Sequence, residues 1–457
     1  MKKIIIYIFG VAVGLYWITS LVHVSAQSWE PLGKGVNNDV ISFAVYNGNI
    51  IAGGEFDSAG GKPANHIAQW NGSTWSPLGS GLQGDGICTS GSGFTMGNLI
   101  VGGCFASAGG VPADNIAQWN GSSWSAFGGG VGFVSCGPNA NGVASGIFYH
   151  GDLIIGGNFF TAGGVHVNNI AAWNGSSWSA LGTGVNNTVG VVDTFNGNLY
   201  AGGNFDSAGG MPANYIAEWN GISWSALGTG VKHFNLNTVL ALTVYNGELI
   251  VGGGFDTAGG IPANCIAAWN GSSWSALGSG MNYDVWSLTV YNGELIAGGA
   301  FTTAGGNPAH EIAQWNGTSW SAFGNGLDGL VESLTVCNGN LIAGGLFDSA
   351  GGYRVNNITE WCDTCKPLGI QEVKVNNEEV NLYPNPSKGK FTLSLQGVSE
   401  KAEITVYNIL GEQVYQCSLN AISTPIDLNN NADGLYLYRV ITETGELVGE
   451  GKFIIEK

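Results

Sequence analysis

Short apolar runs separated by glycine- and asparagine-rich punctuation follow one another from Ser28 to Trp361, and their order repeats. In residues 285 to 324 a run ending in Tyr291-Asn292-Gly293 leads into Leu295-Ile296-Ala297-Gly298-Gly299. Ile312-Ala313-Gln314-Trp315, an Asn316-Gly317 turn and Ser319-Trp320-Ser321-Ala322-Phe323-Gly324 follow. The Gly-Gly pair recurs seven times, at Gly53, Gly102, Gly156, Gly202, Gly252, Gly298 and Gly344, with spacings of 46 to 54 residues. Four runs per unit at this period predict one propeller blade per repeat. The seventh unit stops at Trp361 without its last run, whereas Ser28-Trp29-Glu30-Pro31-Leu32-Gly33 stands unpaired at the other end. The fold class predicted is therefore all-β, a seven-bladed β-propeller over residues 27–362 closed by its N-terminal strand, followed by a small immunoglobulin-like β-sandwich.

Two Asn-Gly turns per unit, such as Asn292-Gly293 and Asn316-Gly317, predict tight type I′ hairpins, because Asn and Gly tolerate the positive φ such turns need. The other two connections are longer, so one end of the ring carries hairpins and the other carries long loops. Long loops accommodate variation and binding most easily. Two tryptophans recur five residues apart in each unit, as in Trp70 and Trp75, with Trp361 and Trp29 completing the seventh pair. One pair in every unit points to packing between blades, since each ring buries about 150–250 Å².

These features resemble the kelch and galactose-oxidase type of propeller, in which a Gly-Gly and a later Trp mark every blade. Asn-Ile-Ala-x-Trp-Asn-Gly and Trp-Ser-Ala-Leu-Gly are closer still to the propeller of fungal cortical polarity-marker proteins. The resemblance implies architecture only: the histidine and tyrosine ligands of the copper oxidases in that group have no counterpart here, nor has the sialidase box.

Between Gln27 and Trp361 stand four basic residues (Lys34, Lys62, Lys232 and Arg354) and nineteen acidic ones, within a formal net charge of −18. Such a surface repels phosphate backbones and anionic lipid, which argues against a nucleic-acid partner. Lys2 and Lys3, the apolar stretch Ile4 to Leu21 and Val24-Ser25-Ala26 read as a secretory signal over 1–26, removed before Gln27. No transmembrane segment is then expected in the mature chain.

After Trp361 lysine and glutamate become frequent and the repeat ends; residues 363–380 read as a linker. Leu382-Tyr383-Pro384-Asn385-Pro386-Ser387-Lys388-Gly389, strands around Ile404-Thr405-Val406-Tyr407-Asn408, Asp433-Gly434-Leu435-Tyr436 and the closing Lys452-Phe453-Ile454-Ile455-Glu456-Lys457 resemble the type A C-terminal sorting domain of the type IX secretion system. The resemblance implies that residues 381–457 engage that machinery and its sortase. It also implies passage through the outer membrane of a Gram-negative bacterium, removal of the domain, and release or attachment to surface lipopolysaccharide. Asp57-Ser58-Ala59, Asp206-Ser207-Ala208, Asp256-Thr257-Ala258 and Asp348-Ser349-Ala350 resemble the O-glycan acceptor used by bacteria with this exporter, which marks Ser58, Ser207, Thr257 and Ser349; the alternative is an Asx turn copied with the repeat.

Eight cysteines in an exported chain suggest some disulfides. Cys88 and Cys136 fall in neighbouring inserted connectors and are expected to pair, with Cys104 competing for Cys88. Cys362 and Cys365 form a Cys-x-x-Cys that reads as a local disulfide or free thiols rather than a zinc or redox site. His66, His150, His166, His233 and His310 form no metal spacing, and neither a metal nor a cofactor is expected. Asn38, Asp39, Asn187, Asn237, Asp284 and Asp328 stand near the starts of the innermost strands and are expected to ring the mouth of a central channel, either as oxygen ligands or as turn residues. The function expected is non-catalytic recognition or adhesion, binding an extracellular glycan or protein through the long-loop face. The alternative is an exported polysaccharide-acting lyase or hydrolase with acid and base drawn from Asp39, Asp284, Asp328 or a rim histidine.

Overall fold

This computed structural model describes residues 27–84, 93–95, 97–132, 142–232, 238–362, 379–396, 401–408, 412–419, 423–442 and 447–457. The signal segment 1–26, Cys88, Cys136, His233, Asn237, Cys365 and most of the 363–380 linker lie outside them. The described residues are strands and turns without a helix, and no helix is long and apolar enough to cross a membrane. The chain divides into two compact units, Met1–Cys365 and Lys366–Lys457.

In the first unit each repeat folds into an antiparallel four-stranded sheet. The sixth is representative: Val285–Tyr291, Glu294–Gly299, Ile312–Trp315 and Trp320–Ala322 pair in chain order. The seventh sheet joins the two ends of the unit. Leu330–Cys337, Asn340–Leu346 and Ile358–Cys362 are followed in space by Ser28–Pro31, with Trp29 opposite Trp361 and Glu30 opposite Glu360. Core clusters lie between neighbouring sheets. One joins Ile296 and Ile312 of the sixth to Val331 and Leu341 of the seventh; another joins Ile342 and Ile358 of the seventh to Val40 and Ile50 of the first.

The tryptophan pairs sit in these interfaces with ring centroids 5.2–5.4 Å apart. The second member of each pair also reaches the preceding repeat: Trp124 Nε1 donates to the Leu78 carbonyl at 2.8 Å and Trp320 Nε1 to that of Leu277 at 2.9 Å. Trp29 is buried against Phe323 and Trp361 instead, and its Nε1 has no hydrogen-bond partner.

The two Asn-Gly turns differ. At Asn47-Gly48 both residues have positive φ, 50° and 77°, as type I′ requires. At Asn71-Gly72 only the glycine does, at 90°. There Asn71 Oδ1 accepts from the amides of Ser73 and Thr74 at 3.0 and 2.8 Å, so this second turn is shaped by a side chain and the type I′ expectation is corrected. The Gly-Gly pairs mark close approach: a Cβ on Gly54 would lie 2.0 Å from the Asp39 carbonyl oxygen.

The second unit has a three-stranded sheet (Glu379–Tyr383, Lys390–Gln396, Ser423–Asp427) and a four-stranded one (Ala402–Asn408, Gln413–Leu419, Gly434–Thr442, Leu447–Ile455). Phe391, Leu393, Ile404, Val406, Val440 and Phe453 form a shared core, the two-sheet arrangement that alternating short strands predict. Asn385 Oδ1 accepts from the Ile454 amide at 2.9 Å, which pins the Tyr-Pro-Asn-Pro motif to the last strand.

Candidate functional site

The innermost strands of six repeats share one irregularity. Pairing with the second strand slips by one residue after the first valine, between Val40 and Ser42, Val143 and Ser145, Val189 and Val191, Val239 and Ala241, Val285 and Ser287, and Val331 and Ser333. A bulge leaves its extra residue unpaired and re-aims its side chain. The six bulged residues, Ile41, Ala144, Gly190, Leu240, Trp286 and Glu332, all line one cavity of about 640 Å³. Its wall is completed by residues at the starts of innermost strands, such as Thr188 and Thr238, and just past the ends of second strands, such as Glu55 and Asn204. Those are the strand ends that carry the long connections, so the cavity belongs to the long-loop end.

Five of the bulged residues are apolar, and Glu332 is the exception. It lines the cavity together with the carboxyls of Asp39 and Glu55. Burial, then the charge and hydrogen bond of Asp39, and then Glu55 push the Glu332 carboxyl up to about 8. Asp39 is also raised, first by burial, with the Glu332 hydrogen bond opposing. Ser42, Ser145, Ser287, Ser333 and Asn204 add hydroxyl and amide groups, and among the described residues no lysine, arginine or histidine joins the lining.

Of the residues the sequence places around the channel mouth, Asp39 alone among those described lines the cavity. Asn38 Nδ2 donates to the Glu55 carbonyl at 3.4 Å, and Asn187 Oδ1 accepts from the Thr188 amide at 2.8 Å. Asp284 lies beside Gly254 and raises the thiol of Cys265, which burial foremost pushes up to about 12. Asp328 accepts from the amides of Asp348 and Ser349 at 3.0 and 2.8 Å and from Ser349 Oγ at 2.7 Å. Burial opposes its ionisation, but these bonds bring its pKa below the usual value. Its counterpart in the first repeat is Asn37, which accepts from the Asp57 and Ser58 amides, so Asp328 is a turn residue.

Glu332 and Glu55 were missed because the first sits inside a strand and the second in a loop whose other copies are uncharged. Aligning the copies at the valine gives the signal, since only one carries an acid there. Cys104 and Cys362 are each engaged in a disulfide, so Cys104, the competitor in the sequence reading, is not a free thiol; Cys88, Cys136 and Cys365 lie outside the described residues. Cys265, Cys337 and Cys417 are free. His66 is half-buried, its Nδ1 3.2 Å from the Gly54 carbonyl oxygen, and burial lowers its pKa. Among the described residues no group of three or more His, Cys, Asp or Glu is arranged to hold a metal.

Residues 381–456 match the family of secretion system C-terminal sorting domains. The protein is therefore exported by type IX secretion and is secreted or held at the outer cell surface. Over 77 residues the chain is 36% identical to ulvan lyase NLR42 of Nonlabens ulvanivorans, a match covering 17% of this chain and 14% of that protein. Among solved structures, PorZ, a surface component of the type IX secretion system of Porphyromonas gingivalis, aligns with a TM-score of 0.44 at 14% identity, over 92% of this chain and 60% of that one. A copper-bound fungal alcohol oxidase of the AA5 family aligns with a TM-score of 0.44 at 13% identity, over 95% of this chain and 100% of that one. The extracellular domain of a hybrid two-component system of B. thetaiotaomicron aligns with a TM-score of 0.45 at 10% identity, over 94% and 57%.

Proposed function

We propose that this is an exported recognition protein that binds an extracellular glycan or protein without turning it over. In this reading the seven sheets are the blades of one kelch-like ring closed by Ser28–Pro31, and the ligand docks on the long-loop end around the axial cavity. The observation that carries the proposal is the cavity of about 640 Å³ at that end, with hydroxyls, an amide and carboxyls in its wall. A ligand site of this kind is concave, partly apolar and furnished with a few convergent polar groups. Repeated hydroxyl and carboxyl oxygens suit a polyhydroxylated or amide-rich partner, and export places the site where such partners are met.

The Asp39–Glu332 pair favours one rival. A protonated carboxyl beside an ionised one is the equipment of general acid and base catalysis, so a polysaccharide-acting lyase or hydrolase is the second reading. A glycan array run beside a polysaccharide-degradation screen decides between them. Binding without product supports recognition; chain cleavage that is lost in Glu332→Gln selects the enzyme; neither binding nor cleavage turns the first reading toward a protein ligand, tested by capture on surface extracts with Asp39→Ala as the control.

A further inference from the structure

The basic residues of the first unit are few and unevenly placed. Of the four between Gln27 and Trp361, Lys34, Lys62 and Arg354 belong to the seam between the first and seventh sheets, whereas Lys232 stands apart in the connector from the fourth to the fifth. Lys34 is the middle residue of a Gly-x-Gly connector whose other copies are small or polar, such as Ser80, Thr183 and Ser279. Lys62 and Tyr353 hold the same position in two short hairpins, Ser58–Ala59 with Lys62–Pro63 and Ser349–Ala350 with Tyr353–Arg354. Arg354 stands where the other copies have proline or, once, His166. Lys232 aside, every departure of the repeat toward positive charge falls in this one sector.

Direct contacts hold the sector together. Asn356, in the long loop of the seventh sheet, donates through Nδ2 to the Lys34 carbonyl at 3.0 Å, and its Oδ1 accepts from Arg354 Nε at 3.0 Å. One amide side chain thus bridges Arg354 to the Lys34 backbone. The Lys34 stem runs over the first hairpin, where a Cβ on Gly61 would lie 3.7 Å from Lys34 Cδ, and Lys62 follows Gly61. All three cations are exposed, and Tyr353 beside Arg354 is 57% exposed. Among the described residues none of the three is engaged in an ion pair. Asp57, the carboxylate of the first hairpin's loop, is held by Asn37 Nδ2 at 2.7 Å.

We propose that Lys34, Lys62, Arg354 and Tyr353 bind acidic sugars of an extracellular glycan, residues that carry a carboxylate or sulfate group. The proposal rests on the recognition reading above and specifies its ligand class; the two hairpins and the connector all lie at the long-loop end. The terminal nitrogens of the Arg354 guanidinium match the paired oxygens of a carboxylate or sulfate, and the lysines add point charges beside them. The exposed Tyr353 ring offers an apolar face with a polar tip to the sugar ring that carries the anion. A sector of three cations within an acidic surface suits one or two anionic groups, and a continuous phosphate backbone or an anionic membrane finds no basic track around it. At an ionic strength of about 0.15 M, charges farther away than about 8 Å are largely screened. Contacts inside the sector therefore outweigh the formal net charge of −18.

The test is calorimetric titration of the full mature chain with tetragalacturonate and with a sulfated galactan tetrasaccharide, beside the methyl-esterified tetragalacturonate and the unsulfated galactan. The acidic probe of at least one pair is expected to bind, with its neutral counterpart weaker by about tenfold or more; which pair responds identifies the anion. Arg354→Gln, and Lys34→Gln combined with Lys62→Gln, should each weaken that binding roughly five- to tenfold. Arg354→Lys should recover only part of the loss, because the charge returns without the fork. Lys232→Gln should leave the affinity unchanged. The substituted side chains are exposed, so an unfolding midpoint at the wild-type value shows that the loss is one of contact and not of fold. Equal affinity for acidic and neutral probes, or acidic binding indifferent to Arg354→Gln, overturns the proposal and leaves glycan recognition standing. Failure of both acidic probes overturns it too, and binding of polyglutamate in their place assigns the sector to an acidic protein segment instead. Recognition itself fails only if the glycan array and the surface-extract capture are blank as well.

Discussion

Trp75 Nε1 donates a 2.7 Å hydrogen bond to the carbonyl oxygen of Leu32, which lies just beyond the N-terminal strand Ser28–Pro31. One side chain thus ties the first sheet to the segment that completes the seventh. The bond is buried, and the indole also packs against Trp70 at 5.4 Å. The same link recurs between consecutive repeats, as from Trp224 to Leu181 and from Trp274 to Leu227.

Replacing Trp75 by Phe keeps an aromatic ring and removes the donor, leaving the Leu32 carbonyl without this bond. A buried acceptor stripped of its partner costs about 1–3 kcal/mol. Chemical denaturation of the variant should show a loss in that range with an unchanged dependence on denaturant. An unaltered midpoint would mean that the bond adds nothing to the link.

Deletion of residues 27–35 removes Trp29 from its place against Trp361 and Phe323 and exposes the edge of Ile358–Cys362. Exposed edges both destabilise and recruit foreign strands. We expect a lower unfolding midpoint for the whole first unit and a tendency to self-associate, measured by calorimetry and light scattering. Unchanged unfolding would refute closure by the N-terminal strand.

Much of this architecture was legible in the chain because each repeat states it again. The Gly-Gly pair, the paired tryptophans and the orphan Trp29 could each be read against six other copies. The candidate site was less legible for a physical reason. Glu332 follows Val331 in a strand, where simple alternation would turn it toward a sheet face, and only the one-residue slip in pairing with Gly344 and Gly345 redirects it to the cavity. A bulge is a property of two strands in register and leaves little trace in one. Of the two roles open to Asp328, the turn role is the one its position supports: it sits two positions earlier in its connector than Asp39 does, and that shift makes it a clamp on Ser349 rather than a wall of the cavity.

Truncation after Cys365 removes the second unit and leaves the first complete. Since residues 381–456 are the sorting domain, the truncated protein should fold and remain in the periplasm. Fractionation of expressing cells checks this, and recovery of the truncated chain from the medium would assign export to another signal.

Asp193 lies in the innermost strand of the fourth sheet, and burial pushes its carboxyl up to about 6 against the hydrogen bond from the Thr194 amide. The native state then holds a proton that the unfolded chain gives up at lower pH, so Asp193 costs stability increasingly as pH rises from about 4 to 6 and fully above that. Asn at this position keeps an oxygen for Thr194 and carries no charge. Asp193→Asn should raise stability by roughly 1–3 kcal/mol at pH 8 and by little at pH 4. Equal effects at both pH values would place the cause in packing.

The four Asp-Ser/Thr-Ala triplets are held unequally, and this sets an order for O-glycosylation. All four hydroxyl residues are partly buried in two-residue strands. Ser349 Oγ donates to Asp328 Oδ2 at 2.7 Å, a charge-assisted bond that a transferase must break. Thr257 Oγ1 makes a longer bond to the Lys232 carbonyl at 3.4 Å. In the other two triplets the amide side chains of Asn37 and Asn186 donate to Asp57 and Asp206 rather than to the hydroxyls. Neither asparagine carries the charge that would hold a serine hydroxyl as Asp328 does. We expect Ser58 and Ser207 to be the most occupied, Thr257 less and Ser349 least, and Asp328→Asn to raise occupancy at Ser349. Peptide mass spectrometry of protein from the native host measures all four at once. Highest occupancy at Ser349 would defeat the ordering, and four bare sites would leave the triplets as turns alone.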